Sequence, residues 1–164
     1  MKSLDQDYEF LFHRKPTKRN LVSATLFNPG FRCVVLLRIQ GIFEAKNKYS
    51  LALAVSNLNH LLTGAEFCVG VRIGVPLIIR HPAGIVVGGG VEIGTKCILL
   101  QGVTIGEKYI REPDGLYPII GNNVSIGCNS SIIGRVSVGD GVTIGAHTLV
   151  VHDVNPDTTV IGNH

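Results

Sequence analysis

The chain has 164 residues, of which 45% are hydrophobic and 16% are charged, and its formal net charge at neutral pH is +3. This length accommodates one domain with a modest appendage, and so small a net charge gives no electrostatic case for nucleic acid as a partner. The four cysteines contain no C-x-x-C pair, which argues against structural zinc or a disulfide framework and favours reduced thiols in a cytoplasmic protein.

The first 27 residues mix charges of both signs and show weak periodicity. They contain one basic run, HRKPTKR at residues 13–19, which we interpret as a solvated segment rather than a binding surface. The N-terminus is charged and has no long apolar stretch, so it does not resemble a signal peptide. No apolar segment reaches the roughly 20 residues that span a bilayer, and we therefore predict no transmembrane segment.

Two helices are predicted next. Asn28 is a favourable N-cap and Pro29 is favoured in a first helical turn, so the first helix runs roughly from Pro29 to Phe43. After a polar break, apolar residues at spacings of four, three and four lie on one face of a second helix. These residues are Leu51, Val55, Leu58 and Leu62. Thr63-Gly64 ends the second helix.

From about residue 71 to residue 150, large aliphatic residues recur every six positions, and glycine often follows them. The repeat occurs in three blocks: Ile73, Ile79, Ile85; Ile93, Leu99, Ile105; and Ile120, Ile126, Ile132, Val138, Ile144, Val150. A period of six suits neither an α-helix nor a simple alternating strand, but it is typical of a solenoid of short strands joined by tight corners. Three units make an 18-residue coil, stacked about 4.8 Å from the next coil by parallel pairing.

The repeat is irregular at two places. Ile85 and Ile93 are eight residues apart, and we predict that Gly88–Gly90 absorbs the two extra residues at a corner. Ile105 and Ile120 are fifteen residues apart, so nine residues leave the solenoid in a protruding loop, residues 107–118. A charged loop on a rigid scaffold is a natural place for function.

His81 is the histidine whose surroundings are most informative. It lies in PLIIRHPAGIVVGGG, residues 76–90, where flanking β-units fix its backbone. Such a histidine can act as a general base or can merely cap a corner. Three further stretches bear on the choice: NPGFR at residues 28–32, TGAEF at 63–67 and QGVTIG at 101–106.

Together these stretches resemble the serine acetyltransferases and their relatives in polysaccharide synthesis, which are hexapeptide-repeat acyltransferases. The resemblance covers about residues 28–162. It implies a mainly β fold, a left-handed parallel β-helix with a short α-helical N-terminal part. Residues 1–64 would form the helical region and residues 65–164 the β-helix acetyltransferase domain.

The resemblance also implies a mechanism. His81 falls on the catalytic base, and Glu66 takes the place of the acidic residue, usually aspartate, that pairs with it. Acetyl-coenzyme A would be the co-substrate, with no metal, bound in a groove between two subunits of a homotrimer that the helices can extend to a larger assembly. Three positions match coenzyme contacts: Gly106, Cys128 and Ala146.

The acceptor positions depart from the serine acetyltransferases. Arg80 stands where those enzymes have the aspartate that meets the amino group of serine, and Leu116-Tyr117 stands where they have the Arg-His pair that meets its carboxylate. We therefore expect serine to be a poor substrate. The short colanic-acid and capsular polysaccharide O-acetyltransferases resemble the chain more closely here, which favours a sugar hydroxyl bound by Arg80, Arg111 and Tyr117, with Tyr117 stacking on the sugar. The alternative is serine acetylation in cysteine biosynthesis.

Two readings from other classes remain. A γ-type carbonic anhydrase shares the solenoid and binds zinc with three histidines. His147 and His152 are close in sequence, but His81 would lie ~17 Å from His147 along the axis at the usual strand spacing, too far for a shared zinc ion. A non-catalytic scaffold is the second reading, and it predicts no coenzyme A binding.

Overall fold

The computed structural model of the protein describes residues 2–108 and 117–163. Within these residues the chain forms helices first and a stack of short strands afterwards. The helices are α1 (Lys2–Phe12), α2 (Lys18–Phe27), α3 (Pro29–Ala45) and α4 (Tyr49–Thr63). The strands are β1 (Glu66–Phe67), β2 (Arg72–Ile73), β3 (Leu77–Ile79), β4 (Val86–Val87), β5 (Glu92–Ile93), β6 (Cys97–Leu99), β7 (Thr104–Gly106), β8 (Ile119–Ile120), β9 (Ser125–Ile126), β10 (Ser131–Ile133), β11 (Ser137–Val138), β12 (Thr143–Ile144), β13 (Leu149–Val150) and β14 (Thr159–Val160).

The strands pair in parallel and form three sheets. Sheet A is β1-β4-β7-β10-β13, sheet B is β2-β5-β8-β11, and sheet C is β3-β6-β9-β12-β14. Successive strands therefore pass from one sheet to the next, and the chain winds as a three-sided solenoid. The predicted mainly β, parallel β-helix with a helical N-terminal part is confirmed.

Each coil sends apolar side chains into the shared core. In sheet A, the inward residues Phe67, Val87, Ile105, Ile132 and Val150 are fully buried. Burying a side chain of this size stabilises a fold by roughly 1.5–3 kcal/mol, so the six-residue period places a regular hydrophobic core along the axis.

The smaller irregularity lies elsewhere than predicted. Ile79 pairs with Leu99, twenty residues later, whereas Val87 pairs with Ile105, eighteen residues later. The two extra residues therefore lie between Ile79 and Val87, and the prediction that Gly88–Gly90 absorbs them is wrong. Both Ile85 and Val87 are fully buried. Ile85 is six residues after Ile79 and so fits the sequence period, but the residue that occupies the strand position is Val87.

The larger irregularity is confirmed by the register. Ile105 pairs with Ile132, twenty-seven residues later, which is one 18-residue coil plus the nine residues expected. The excess lies between Gly106, the end of β7, and Ile119, the start of β8. Of the predicted loop 107–118, residues 109–116 lie outside the described residues.

The two predicted helices are present. The Asn28 side chain accepts a hydrogen bond from the Phe31 N–H at 2.8 Å and caps α3, as expected of Asn before Pro. Gly64, with φ of 74°, ends α4 in the left-handed conformation. Within residues 2–108 and 117–163, no single helix is long and apolar enough to cross a membrane, although the bent pair α2 and α3 qualifies by length and composition alone.

Helix α4 turns its small and polar side towards the protein. Its buried residues are Ala52, Ser56, Asn59 and Thr63. The Ser56 hydroxyl donates to the Phe67 carbonyl at 2.7 Å, which fixes the first strand. The leucine face that the spacing singles out is largely exposed, with Leu51, Leu58 and Leu62 each more than two-fifths accessible.

Helices α1 and α2 were not predicted from the sequence. The fully buried carboxylate of Asp7 pairs with Arg38 at 2.9 Å and accepts the Leu77 N–H at 2.8 Å. Tyr8 and Phe31 pack edge to face with ring centroids 5.7 Å apart. These contacts tie α1 to α3 and to β3.

Candidate active site

His81 lies at the corner where the chain passes from β3 to β4. Arg80 donates its N–H to the Leu99 carbonyl at 3.0 Å, and the Ala83 carbonyl accepts the Gly102 N–H at 3.0 Å. His81 and Pro82 therefore arch between two residues that are fastened to the next coil. Pro82 is buried and His81 is exposed, and neither the ring nor the N–H of His81 is bonded to another described residue.

This corner contains the two extra residues of the first coil. The extra length lets the backbone leave the wall of the solenoid and return, so that the imidazole projects while its flanks stay bonded. We call residues 80–84 the His81 corner. An exposed imidazole on a rigid support is suited to accept a proton from a bound hydroxyl.

Helices α3 and α4 pack against the backbone of the His81 corner. A side chain at Gly30, in the first turn of α3, would overlap the Ile79 carbonyl, so only glycine allows this close approach. The Gly64 carbonyl, at the end of α4, accepts the Gly84 N–H at 2.9 Å. The NPG and TG stretches thus hold the backbone on both sides of His81.

Glu66 is placed on the outer surface of the first coil. It pairs with Val86 in sheet A, and its side chain is exposed. The Cys68 thiol donates to its Oε1 at 3.9 Å, and burial, followed by the charge of Glu66, raises the pKa of that thiol. No hydrogen bond or ion pair joins Glu66 to His81 within the described residues of one chain, and their pairing stays a prediction.

Two of the predicted coenzyme contacts lie below the His81 corner. Gln101 lies on the coil that follows the His81 corner, and its carbonyl accepts the Asn129 N–H at 2.9 Å. One coil further on, the Cys128 carbonyl accepts the His147 N–H at 2.9 Å. Cys128 and Ala146 therefore occupy successive steps of one ladder that begins at Ala83. Cys128 is half-buried and Ala146 is exposed, so both present a surface at this edge.

Gly106 and Tyr117 belong to a different corner, between sheets A and B. A Cβ at Gly106 would meet no atom of the described residues within 4 Å. A Cβ at Gly90 would overlap the Tyr117 ring, and one at Gly88 would lie 3.0 Å from it. Tyr117 thus rests on the glycine run, with one side of its ring covered.

The hydroxyl end of Tyr117 lies in acidic surroundings. Loss of hydration, followed by the charge of Glu107, raises the pKa of Tyr117. Glu107 and Tyr117 flank the segment 108–116, and Cys68 also contributes to the same electrostatic environment. The sequence singled out Tyr117 but offered no signal for Glu107 or Cys68, because their proximity depends on the coil register.

The remaining acceptor residues are distributed unevenly. Arg80 is exposed and has no ion pair with another described residue, so its guanidinium is available beside His81. Arg111 and Leu116 lie outside the described residues. Across residues 2–108 and 117–163, no group of three or more His, Cys, Asp or Glu side chains could hold a metal ion, and the carbonic anhydrase reading gains no support.

Comparisons with known proteins agree with the fold. The family model described as bacterial transferase hexapeptide (six repeats) matches residues 117–152. The Helicobacter pylori serine acetyltransferase is 31% identical over 163 residues, which cover 99% of this chain and 95% of the relative. The Synechococcus elongatus serine acetyltransferase is 34% identical over 161 residues, 98% of this chain, but the chain spans only 66% of that relative's length.

Solved structures are similar as well. The Neisseria gonorrhoeae serine acetyltransferase in complex with serine matches with a TM-score of 0.86 and 30% identity, covering 98% of this chain and 66% of that one. The soybean serine acetyltransferase apoenzyme matches with a TM-score of 0.88 and 28% identity, covering 99% and 66%. The closer resemblance to colanic-acid and capsular enzymes finds no support in these relatives. The chain belongs to the serine acetyltransferase family of hexapeptide-repeat acyltransferases.

Proposed function

We propose that this protein transfers the acetyl group of acetyl-coenzyme A to the hydroxyl of serine. The observation that carries the proposal is the exposed imidazole of His81, which is raised from a corner whose backbone is fastened on both sides. The relatives that cover almost the whole chain are serine acetyltransferases. This acceptor replaces the sugar favoured by the sequence as the first candidate.

In the reaction, His81 removes the proton of the acceptor hydroxyl while the oxygen attacks the thioester carbonyl. The carbon–oxygen bond forms, the carbon–sulfur bond breaks, and the proton passes from the imidazolium to the departing thiolate of coenzyme A. A carboxylate near the other ring nitrogen holds it as a donor and stabilises the cation. We assign that role to Glu66.

The coenzyme is proposed to follow the ladder below the His81 corner, past Cys128 and Ala146, with Gly106 at the neighbouring corner. These two corners lie on different edges of the solenoid, so a single narrow groove can use both only if each corner comes from a different subunit. A homotrimer with three such grooves, in the cytoplasm, satisfies this requirement. Light scattering tests it: a monomer that retains activity contradicts the shared groove.

A second candidate acceptor is a sugar hydroxyl in surface polysaccharide synthesis. Arg80 favours the sugar acceptor, because a cation beside the base repels the ammonium of serine. The same cation suits a phosphorylated or hydroxyl-rich acceptor. Tyr117 stacking on the sugar would have to use the side of the ring that the glycines leave free. Serine can be reconciled with Arg80 if the guanidinium meets its carboxylate instead.

Steady-state assays with acetyl-coenzyme A decide between the candidates. We expect serine turnover near the median of enzymes, around 10 s⁻¹, and weak transfer to nucleotide sugars and oligosaccharides. The reverse preference would replace serine by a sugar. The triple substitution Arg80→Asp, Leu116→Arg, Tyr117→His sharpens the test, because it should raise serine activity only if these positions limit it.

A further inference from the structure

Helix α2 presents apolar side chains to solvent. Val22, Leu26 and Phe27 expose 61%, 59% and 82% of their accessible surface. Val22 and Leu26 are one helical turn apart, on the side of α2 that faces away from its buried residue, Ala24. Phe27 follows Leu26 at the end of the helix. Neighbouring exposed apolar side chains of this size indicate an interaction surface.

Basic residues border these apolar side chains. Lys18 and Arg19 lie four and three residues before Val22, so they share its side of the helix, and both are exposed. Arg14 and Phe27 line one cavity, which places the basic segment before α2 beside the aromatic ring. We define the α2 surface as the exposed residues Arg14, Lys15, Lys18, Arg19, Val22, Leu26 and Phe27.

The charge of the α2 surface is not offset by neighbouring acids in the sequence. Between Glu9 and Glu44 the chain has no Asp or Glu and six basic residues, which are Arg14, Lys15, Lys18, Arg19, Arg32 and Arg38. Arg38 is paired with Asp7. Among the described residues, no ion pair involves a cation of the α2 surface. The surface therefore attracts an anionic partner.

The combination of charge and apolar area selects the kind of partner. A two-fold contact with a second copy would place these cations opposite the same cations, which is unfavourable. A polyanion such as nucleic acid would meet the charges but not the aliphatic side chains. An anionic bilayer meets both, because its phosphates attract Lys and Arg and its headgroup boundary accepts apolar side chains.

Helix α4 shows what the charge adds. It also exposes leucines, and Leu61 is 79% accessible. However, the sequence of α4, Tyr49–Thr63, contains no Lys or Arg. An apolar helix surface without cations has no electrostatic attraction to anionic lipid. The α2 surface is therefore the stronger candidate for a membrane contact.

The packing of α3 determines how α2 can meet a bilayer. Together α2 and α3 form a bent pair that is apolar enough for a membrane by length and composition. However, Phe31, Val34 and Leu37 of α3 are buried within the protein, so α3 is not available to lipid. Helix α2 can lie in the plane of the interface instead, with its exposed side towards the headgroups.

We propose that the α2 surface binds peripherally to an anionic membrane, with Leu26 and Phe27 entering the headgroup boundary and the basic residues contacting lipid phosphates. This inference goes beyond acetyl transfer and does not depend on it. It is compatible with the proposed cytoplasmic location, because the cytoplasmic leaflet carries anionic lipid. It also replaces the interpretation of residues 13–19 as a solvated segment.

Cosedimentation with lipid vesicles tests the electrostatic part. The full chain should bind vesicles of equal parts phosphatidylcholine and phosphatidylglycerol, bind pure phosphatidylcholine at least about tenfold more weakly, and dissociate as salt is raised. Lys18→Gln with Arg19→Gln should weaken binding roughly 25-fold, since each basic residue near an anionic surface contributes about fivefold.

The matched control is Lys46→Gln with Lys48→Gln, which removes two exposed cations at the other end of α3. It should bind the mixed vesicles as the wild type does. Equal losses in the two double variants would show that net charge alone is responsible and would overturn the α2 surface.

A single tryptophan tests the apolar part. The chain contains no tryptophan, so Phe27→Trp introduces one fluorophore. Its emission should shift to shorter wavelength with the mixed vesicles and be quenched by brominated acyl chains, because the side chain enters the headgroup boundary. Leu61→Trp, at an exposed position of α4, should not respond. Cosedimentation without a response in Phe27→Trp would show adsorption by charge alone and would overturn the proposal.

Light scattering without vesicles tests the other occupants. Phe27→Ser should keep the mass of the wild type, whereas a lower mass would show that a second copy covers this surface. A wild type that binds neither kind of vesicle also overturns the proposal and leaves an acidic protein as the partner. Turnover of serine in vesicle-free buffer should be unchanged in Lys18→Gln with Arg19→Gln, so a failure of membrane binding and a failure of the proposed function are distinguishable.

Discussion

The 18-residue coils of this solenoid contain two insertions, one of two residues and one of nine. The contacts that hold the two insertions differ. At the His81 corner two extra residues arch outwards while the residues on each side stay bonded to the next coil and to the helices. At the second corner nine extra residues leave between β7 and β8, and the described contact at their far end is the ring of Tyr117 on Gly88 and Gly90.

The difference shows how a solenoid can hold a reactive group. A short insertion holds the backbone of one residue in place, because Arg80, Ala83 and Gly84 keep backbone hydrogen bonds on both sides of it and little conformational entropy is left to lose. A long insertion needs an anchor where it rejoins the coil, and here that anchor is an aromatic ring on glycines. We therefore expect chemistry to depend on the first corner and stability to depend on the second.

Substitution at His81 should have the largest effect. His81→Ala removes the proposed base and should lower kcat by about 10² to 10⁴-fold. Thermal stability should be unchanged, because the ring is exposed and unbonded among the described residues. His60→Ala, on the outer face of α4, is the control. Turnover close to wild type in His81→Ala would mean that the base lies elsewhere, with His147 the next candidate.

Glu66→Gln should have a smaller effect on the same corner. The amide keeps the shape of the side chain but loses the charge, and charge-assisted hydrogen bonds are roughly twice as strong as neutral ones. We expect kcat to fall on the order of tenfold, with little change in the KM for acetyl-coenzyme A. A loss equal to that of His81→Ala would instead indicate that Glu66 contacts the reacting atoms itself.

Much of the fold could be predicted because one physical signal is repeated many times. The six-residue period and the glycines predict the solenoid, and Asn28-Pro29 predicts the start of α3. The two-residue excess was misplaced because Ile85 and Val87 are both buried, and periodicity cannot tell a corner residue from a strand residue. The orientation of α4 was also hidden, since its buried side is polar and bonded.

The site was predictable in its parts and not in its arrangement. His81 could be singled out from neighbouring residues, whereas the support by Gly30 and the position of Tyr117 on Gly90 depend on contacts between segments distant in sequence. Helix α1 shows the same limit. The buried carboxylate of Asp7 binds Arg38 and the Leu77 N–H. These partners are more than thirty residues away in sequence, so no local pattern predicts the contacts.

The anchor at the second corner is tested by a double-mutant cycle. Gly90→Ala places a methyl group inside the Tyr117 ring position, and such overpacking should cost ~1–3 kcal/mol, or roughly 2–4 °C of Tm per kcal/mol. In a Tyr117→Ala background the same change should cost almost nothing. Gly106→Ala is the control for stability, because its Cβ would meet no atom of the described residues within 4 Å. An equal cost in both backgrounds would show that the ring is not the obstacle.

The smallest expected effect concerns a corner without any insertion, where Asp140 accepts the Asn122 N–H at 2.6 Å. That hydrogen bond holds the pKa of Asp140 below its usual value. A lowered folded-state pKa means that the stabilisation is present above the unfolded pKa, near 3.9, and is lost as the pH falls through the folded value. Asp140→Asn should therefore lower Tm slightly at pH 7, by an amount that shrinks on acidification below about pH 4. Because the carboxylate is fully exposed, solvent screening keeps the effect small. Melting curves of both proteins between pH 2.5 and pH 7 measure it, and a Tm difference that grows on acidification would have the wrong sign for this interaction.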